Sequence, residues 1–273
     1  MSTIGFIGSG NMAEALIKGI LTAGVYTPRD VFISDIRKDR TEELTRKYGV
    51  VGTDTNASIV QHSETIILSV KPQTMANALD SIKGAGIGDK LVISIAAGVK
   101  VARIAATLGD VAIIRVMPNT PALVGEGASA LFANDRARPR LAQALSIFSA
   151  VGRAVVVDKE DLIDAVTAVS GSGPAYFFLL MEAMMQAGAA LGLPADVARE
   201  LVLQTAKGAS LLAVEADKNK EGPAVLRRKV TSPGGTTEAA LRVFAEGGFE
   251  PLVGRALAAA RDRSRELSGG ATR

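Results

Sequence analysis

Residues 8–13 read Gly-Ser-Gly-Asn-Met-Ala, directly after an apolar run and directly before a helical pattern in Met12, Leu16 and Ile20. These residue types at this spacing suit the holding of a pyrophosphate. Gly8 permits a tight turn, Gly10 lets an anion approach the backbone, and Ala13 lets the helix pack close to the preceding strand. The backbone donors around Ser9, Asn11 and Met12, at the start of the helix, then face the anion. As a bare string G-x-G-x-x-A is weak, but here a strand, a helix and a second strand stand in the required order.

The second strand ends in Ser34-Asp35-Ile36-Arg37-Lys38. An acidic residue at the strand tip favours a ribose with free hydroxyls, whereas Arg37 and Lys38 favour a 2′-phosphate. With Ser34 at the tip, Asp35 can turn away and the phosphate fits. NADPH is therefore the expected cofactor, with NADH the alternative and Arg37 the main discriminator. Three further strand ends carry unusual residues: Ser69-Val70-Lys71-Pro72, Ile95-Ala96-Ala97-Gly98 and Met117-Pro118-Asn119-Thr120-Pro121. Ligands of open α/β sheets sit beyond such ends. These tight turns are expected to line a nicotinamide and its ribose, with Lys71 as a ribose or phosphate contact.

Two glycine turns lie later in the chain. Ser170–Gly173 allows close backbone approach, and Pro174 suits the first turn of the apolar helix that follows. Ser232-Pro233-Gly234-Gly235-Thr236-Thr237 precedes another helix, and its N–H groups and hydroxyls form a ready carboxylate site.

Other chemistries are excluded by composition. The 273 residues include no cysteine, which removes disulfides and thiolate catalysis and fits a reducing cytoplasm. One histidine, His62, cannot build a histidine metal cluster, and no metal site is expected; His62 reads as a surface turn residue. A net charge of +3 is too small and dispersed for nucleic acid as the main partner. The N-terminus does not read as a signal peptide, and Glu182 and Gln186 interrupt the best candidate for a membrane span.

These residues need a scaffold. Apolar runs at 4–7, 31–34, 65–70, 91–95, 111–117, 127–133 and 154–157 read as strands, with helices at 12–23, 40–48 and 139–148 between them. The alternation predicts a mostly parallel α/β sheet with right-handed crossovers. Gly24 and Gly49 read as helix stops. After Asp158 only helical patterns follow, at 161–169, 175–191, 195–214, 236–244 and 253–267. That change of class predicts two domains, 1–159 and 160–273, with a tail that frays from Ser268. Helix 175–191 is apolar on nearly every face, so the second domain is expected to dimerise.

The motifs FIGSGNMAEAL, SVKPQ, AAGV, MPNTP, EDLIDAVTAVSGSGPAY and SPGGTTEAAL, running in this order from Phe6 to Leu241, resemble those of the pyrroline-5-carboxylate reductases, the last enzymes of proline biosynthesis. The resemblance implies an N-terminal Rossmann domain, a C-terminal helical domain, an interlocked homodimer and often a decamer. It implies reduction of 1-pyrroline-5-carboxylate, a cyclic imine carboxylate, to L-proline with NADPH or NADH. It places GSGPAY at the domain junction, beside the active site, rather than in a second nucleotide loop. Ser232, Gly234, Gly235, Thr236 and Thr237 would hold the substrate carboxylate, with Ser172 and Asn119 beside it. Thr237, the catalytic residue, would reach the ring nitrogen. Cofactor contacts would come from Gly8, Ser9, Gly10, Asn11, Met12, Ser34, Arg37, Lys38, Asn56, Val70, Lys71, Pro72, Ala97 and Asn119. The sequence departs from the family pattern upstream: Arg228 stands where aspartate is common, and Glu221 fits an acidic position only with a one-residue shift.

A β-hydroxyacid dehydrogenase shares the two-domain plan but carries a lysine on the first helix of its second domain, and residues 161–176 contain none. A reductase of another cyclic imine, and a non-catalytic NADP sensor, are the remaining alternatives; the intact SPGGTT turn counts against the sensor.

Overall fold

The computed structural model describes residues 2–269. Its Val- and Ile-rich runs form β1 (Ile4–Ile7), β2 (Val31–Ser34), β3 (Val51–Gly52), β4 (Thr65–Leu68), β5 (Leu91–Ser94), β6 (Ala112–Met117), β7 (Gly127–Ala133) and β8 (Gly152–Val156). The sheet order is β3-β2-β1-β4-β5-β6-β7-β8, and every pairing is parallel except β6 with β7. The order turns between β1 and β4, where dinucleotides bind in such sheets.

Both faces are covered, as continuous apolar strands require. Adjacent residues go to opposite sides: Ile67, Ile93 and Ile114 join one core with Phe6, Leu16 and Phe148, while Ile66, Val92 and Ile113 join another with Ile7, Ile59 and Leu79. The covering helices are α1 (Asn11–Thr22), α2 (Lys38–Tyr48), α3 (Asn56–His62), α4 (Met75–Asp80), α5 (Val101–Leu108) and α6 (Leu141–Ser149). Gly24 (φ +66°) and Gly49 (φ +70°) end α1 and α2 in left-handed turns, as their sequence positions imply. His62 closes α3, stacked on Phe32, with Nδ1 2.8 Å from the Ser58 carbonyl.

After β8 the described chain is helical: α7 (Leu162–Val166), a single π-helical turn (Thr167–Gly171), α8 (Gly173–Ala190), α9 (Ala195–Asp217), α10 (Pro223–Lys229), α11 (Thr236–Glu246) and α12 (Phe249–Leu267). Two boundaries differ from the sequence reading for the same reason. α10 goes unread, and α12 begins at Phe249 rather than at residue 253, because Pro223 and Pro251 look like breakers. Each sits in a first turn, where a missing N–H costs nothing.

Packing divides the chain into two units. A sheet unit runs up to Pro174 and resumes at Ala258; a helical unit is Ala175–Leu257. In the helical unit the buried hydrophobic residues are Ala198, Val202 and Ala216, while Phe177, Phe178, Leu179, Leu211 and Leu212 are each more than half exposed. Leu162–Ala190 is long and apolar enough, with mean hydropathy 1.2, to cross a bilayer by composition. The sequence reading misses this because it counts α8 alone. Of the tail expected to fray, residues 270–273 lie outside the described residues, and the Ser268 N–H donates to the Ser264 carbonyl at 3.1 Å.

Candidate functional site

Gly8 adopts φ +94°, and a Cβ there would lie 2.9 Å from the Ser69 carbonyl oxygen and 3.0 Å from the Val70 side chain. Backbone freedom and close approach both demand glycine at this point. The approach joins the first turn to the loop after β4, where Ser69 N–H donates to the Ile7 carbonyl at 2.9 Å. Gly10 is the N-cap of α1, with no side chain capping it, and a Cβ built on it meets nothing within 4 Å. A helix N-terminus with uncapped donors and open space before it fits a pyrophosphate. Asn11 and Met12 open that helix. Ser9 is fully buried; its N–H donates to Asp35 Oδ2 at 2.7 Å and its hydroxyl to the Ser34 carbonyl at 3.3 Å, so it braces the turn from within.

Asp35 also accepts the Arg37 N–H at 2.9 Å on Oδ1, so the backbone holds both its oxygens. The Arg37 side chain is 59% exposed, with Nε 3.8 Å from Asp35 Oδ1, and Lys38 begins α2, exposed. The buried Ser34 hydroxyl donates to Asn56 Oδ1 at 2.7 Å, and Asn56 Nδ2 donates to the Ser81 hydroxyl at 2.9 Å. Gly8, Ser34 and Val70 meet here, because Gly8 N–H also donates to the Ser34 carbonyl at 2.9 Å. Lys71 is exposed just before the short turn Pro72–Thr74. Ala97 lies in the loop after β5, half-buried beside Gly98 (φ +69°).

Behind the glycine turn lies a charged knot. Arg40, 9% exposed, donates from Nε to the Ser9 carbonyl at 2.8 Å and ion-pairs with Glu14 and Glu43. Glu14 also accepts Lys47 at 2.8 Å and the Tyr48 hydroxyl at 2.9 Å. Burial pushes the Glu14 carboxyl up, but hydrogen bonds from Lys47, Arg40 and Tyr48 outweigh it and bring its pKa down to about 2. The sequence signal was a lone acid, Glu14, on an apolar helix that precedes a highly charged one.

Asn119, buried after β6, bridges β7 and the π-helical turn. Its Oδ1 accepts the Ala128 N–H at 2.8 Å, and its Nδ2 donates to the Ser170 carbonyl at 3.0 Å. Ser170 lies in the π-helical turn, closed by the Ser172 N–H on the Thr167 carbonyl at 2.8 Å. Such turns often mark functional positions. Gly171 packs against the Met117 side chain at the end of β6, where an added Cβ would come within 2.5 Å of the Met117 methyl group and displace it. Ser172 is half-buried.

Within the helical unit, Gly234 takes φ +71° and the Gly235 N–H donates to the Ser232 carbonyl at 3.0 Å, which folds Ser232–Thr237 onto the start of α11. Glu238 Oε2 accepts the Gly234 N–H at 2.7 Å, so a carboxylate already sits in this turn. Thr236 and Thr237 begin α11, with Thr237 half-buried. A cleft beside the turn is lined by Leu180, Arg227, Thr231, Glu238, Arg242 and Phe249. Glu221 is paired with Lys229 at 2.8 and 2.7 Å, so it anchors the segment leading to Ser232.

A family model described as pyrroline-5-carboxylate reductase dimerisation matches residues 160–267, and one described as NADP oxidoreductase, coenzyme F420-dependent, matches residues 3–98. A pyrroline-5-carboxylate reductase of Pseudomonas aeruginosa is 46% identical over 272 residues, 98% of this chain and 98% of that protein. One from Arabidopsis thaliana is 39% identical, covering 97% of this chain and 95% of its own. Among solved structures, a pyrroline-5-carboxylate reductase from Coxiella burnetii aligns with a TM-score of 0.92 at 39% identity over 99% of both chains. A pyrroline carboxylate reductase from Plasmodium falciparum, with NADP bound, aligns with a TM-score of 0.85 at 31% identity over 98% of both chains.

Proposed function

The chain belongs to the pyrroline-5-carboxylate reductase family, and on that premise we propose how its residues reduce 1-pyrroline-5-carboxylate to L-proline with a nicotinamide cofactor. The observation that carries the assignment of roles is the Ser232–Thr237 turn, where a carboxylate oxygen rests 2.7 Å from the Gly234 nitrogen. The substrate carboxylate takes the place of Glu238 there, held by the N–H groups and hydroxyls of Ser232, Gly234, Gly235 and Thr236, with Arg242 adding positive charge beside the cleft and Arg227 paired with Glu250 at 3.8 Å. Thr237 holds the ring nitrogen. The bound cofactor supplies the hydride to C5 of the imine.

A protonated imine is already electrophilic, so the protein chiefly positions two reactants. The proton comes from water or from the substrate itself, which accords with a site without histidine or cysteine. Gly8, Gly10, Asn11 and Met12 hold the pyrophosphate, and Ser9 supports the turn. Ser34, Asn56, Arg37 and Lys38 face the adenosine ribose. Val70, Lys71, Pro72, Ala97 and Asn119 line the nicotinamide end, with Ser172 beside the substrate.

NADPH is preferred over NADH. In support, backbone donors hold both Asp35 oxygens while the Arg37 guanidinium stands exposed. The functional boundary lies between residues 159 and 160, supported by a dimerisation match that begins at residue 160. The enzyme is a homodimer, assembling further into a decamer, and works in the cytoplasm; a dimerisation match over residues 160–267 supports reading the apolar stretch Leu162–Ala190 as an interface element.

The purified chain, given NADPH or NADH with pyrroline-5-carboxylate or piperideine-6-carboxylate, is expected to turn over the five-membered imine and to favour NADPH. No oxidation of either cofactor with either imine overturns the reading. A wild-type preference for NADH overturns the cofactor assignment alone.

A further inference from the structure

Arg115 is the largest fully buried side chain in the structure, at 1% exposure in β6. Its Nη1 donates to Glu160 Oε1 at 3.2 Å, and its Nη2 stands 3.7 Å from Asp164 Oδ1 without a hydrogen bond. Glu160 Oε1 also accepts the Val101 N–H at 2.8 Å, at the first residue of α5. Asp164 Oδ1 accepts the Ser264 hydroxyl of α12 at 2.7 Å. Desolvating such charges is costly, and apolar residues of like volume often serve stability as well or better. Stability is therefore a poor account of a buried arginine between two carboxylates.

Its place in the chain offers a better one. β6 leads from Arg115 into the 117–121 turn. The helix start bound by Glu160 is the exit of the 95–98 turn. α7, which carries Asp164, leads into the 170–174 turn. One cation thus sits behind three turns from separate parts of the sequence. Closer to the surface the same turns touch again, through Asn119 on Ser170 and Met117 against Gly171. The planar fork of arginine suits this post, since one nitrogen can face each carboxylate, whereas a lysine offers a single point of charge.

We infer that Arg115, acting through Glu160 and Asp164, is a positioning residue that fixes these three turns relative to one another and so sets the placement of the nicotinamide. This rests on the reading in which those turns line the reacting end of the site. A small misplacement there is expensive, on the order of a hundredfold in rate for 1 Å.

The test compares the parent chain with Arg115→Lys and with the milder Asp164→Asn, which keeps its shape and the Ser264 contact should the first variant not fold. Amide hydrogen exchange without cofactor is expected to quicken across 95–101, 117–121 and 167–174, and to stay unchanged across 4–13. NADPH affinity, by fluorescence titration, should stay within about threefold of the parent. Per folded molecule, kcat should fall about ten- to a hundredfold, KM should move less, and the isotope effect with C4-deuterated NADPH should rise. Unchanged exchange in the three turns overturns the inference. So does an activity loss that merely follows the loss of folded protein, with the isotope effect unaltered. If the parent itself fails to reduce pyrroline-5-carboxylate, the functional reading falls, while the exchange data still decide whether Arg115 joins the turns.

Discussion

A single hydroxyl separates Thr237 from valine, and the proposed contact to the substrate ring depends on it. Thr237→Val is expected to keep the fold and to lower kcat/KM about tenfold to a hundredfold, equivalent to about 1–3 kcal/mol, with NADPH affinity near the parent's. Steady-state kinetics and a cofactor titration check it, and unchanged turnover removes Thr237 from the site. At the other end of the cofactor, Arg37→Ala should weaken NADPH by roughly ten- to a hundredfold and leave NADH nearly untouched. Raised salt should narrow the parent's preference, because the guanidinium is 59% exposed. Equal losses with both cofactors would show that Asp35, not Arg37, reads the ribose. Single residues are legible in the sequence where their own backbone betrays them: Gly8, Gly24 and Gly49 each stand at a turn that needs positive φ. The contacts of Arg115 with Glu160 and of Asn119 with Ser170 are not, since they join residues 45 and 51 apart and only the folded sheet brings them together.

At the scale of elements, α1 and α2 are joined by Glu14. Its pKa falls from 4.5 to about 2 in the folded chain. A lowered carboxyl pKa stabilises fully above the unfolded value and loses that contribution as pH drops from 4.5 toward 2. Glu14→Gln should therefore be less stable than the parent by roughly 1–2 kcal/mol at pH 7, and the two should converge as the solution is acidified through that window. Thermal melts at pH 7, 4.5 and 3 check this; a gap that widens in acid reverses the sign and refutes the assignment. Strand runs were legible because burial on both faces leaves them apolar from end to end. Less legible were β3, short and exposed, the short helices α3, α4 and α5, which went unread, and the two helices whose first turns hold Pro223 and Pro251, where local chemistry resembles a stop.

At the scale of the whole molecule, the exposed phenylalanines and leucines of the helical unit exceed what a lone soluble chain displays. Light scattering at micromolar concentration should report a dimer or a larger even assembly, and a monomer there would remove the reason for the apolar faces. The need for cover was readable in the sequence, because α8 has no polar side, and from it the expectation of a dimer follows; the size of the assembly was not, because a helix pattern does not count its neighbours. In the helical unit, hydrophobic burial within one chain amounts to Ala198, Val202 and Ala216. Ordering a residue's backbone costs about 1–2 kcal/mol, and those three side chains cannot offset that for a segment of this length. In the proposed homodimer, each chain's helical unit is a binding partner that becomes structured by being bound, and its stability obeys mass action. Dilution acts on it as a denaturant acts on other proteins. The melting temperature of the helical unit should rise with protein concentration, while the sheet unit, with its own closed core, melts at a fixed temperature and still takes up nucleotide in samples too dilute to reduce an imine.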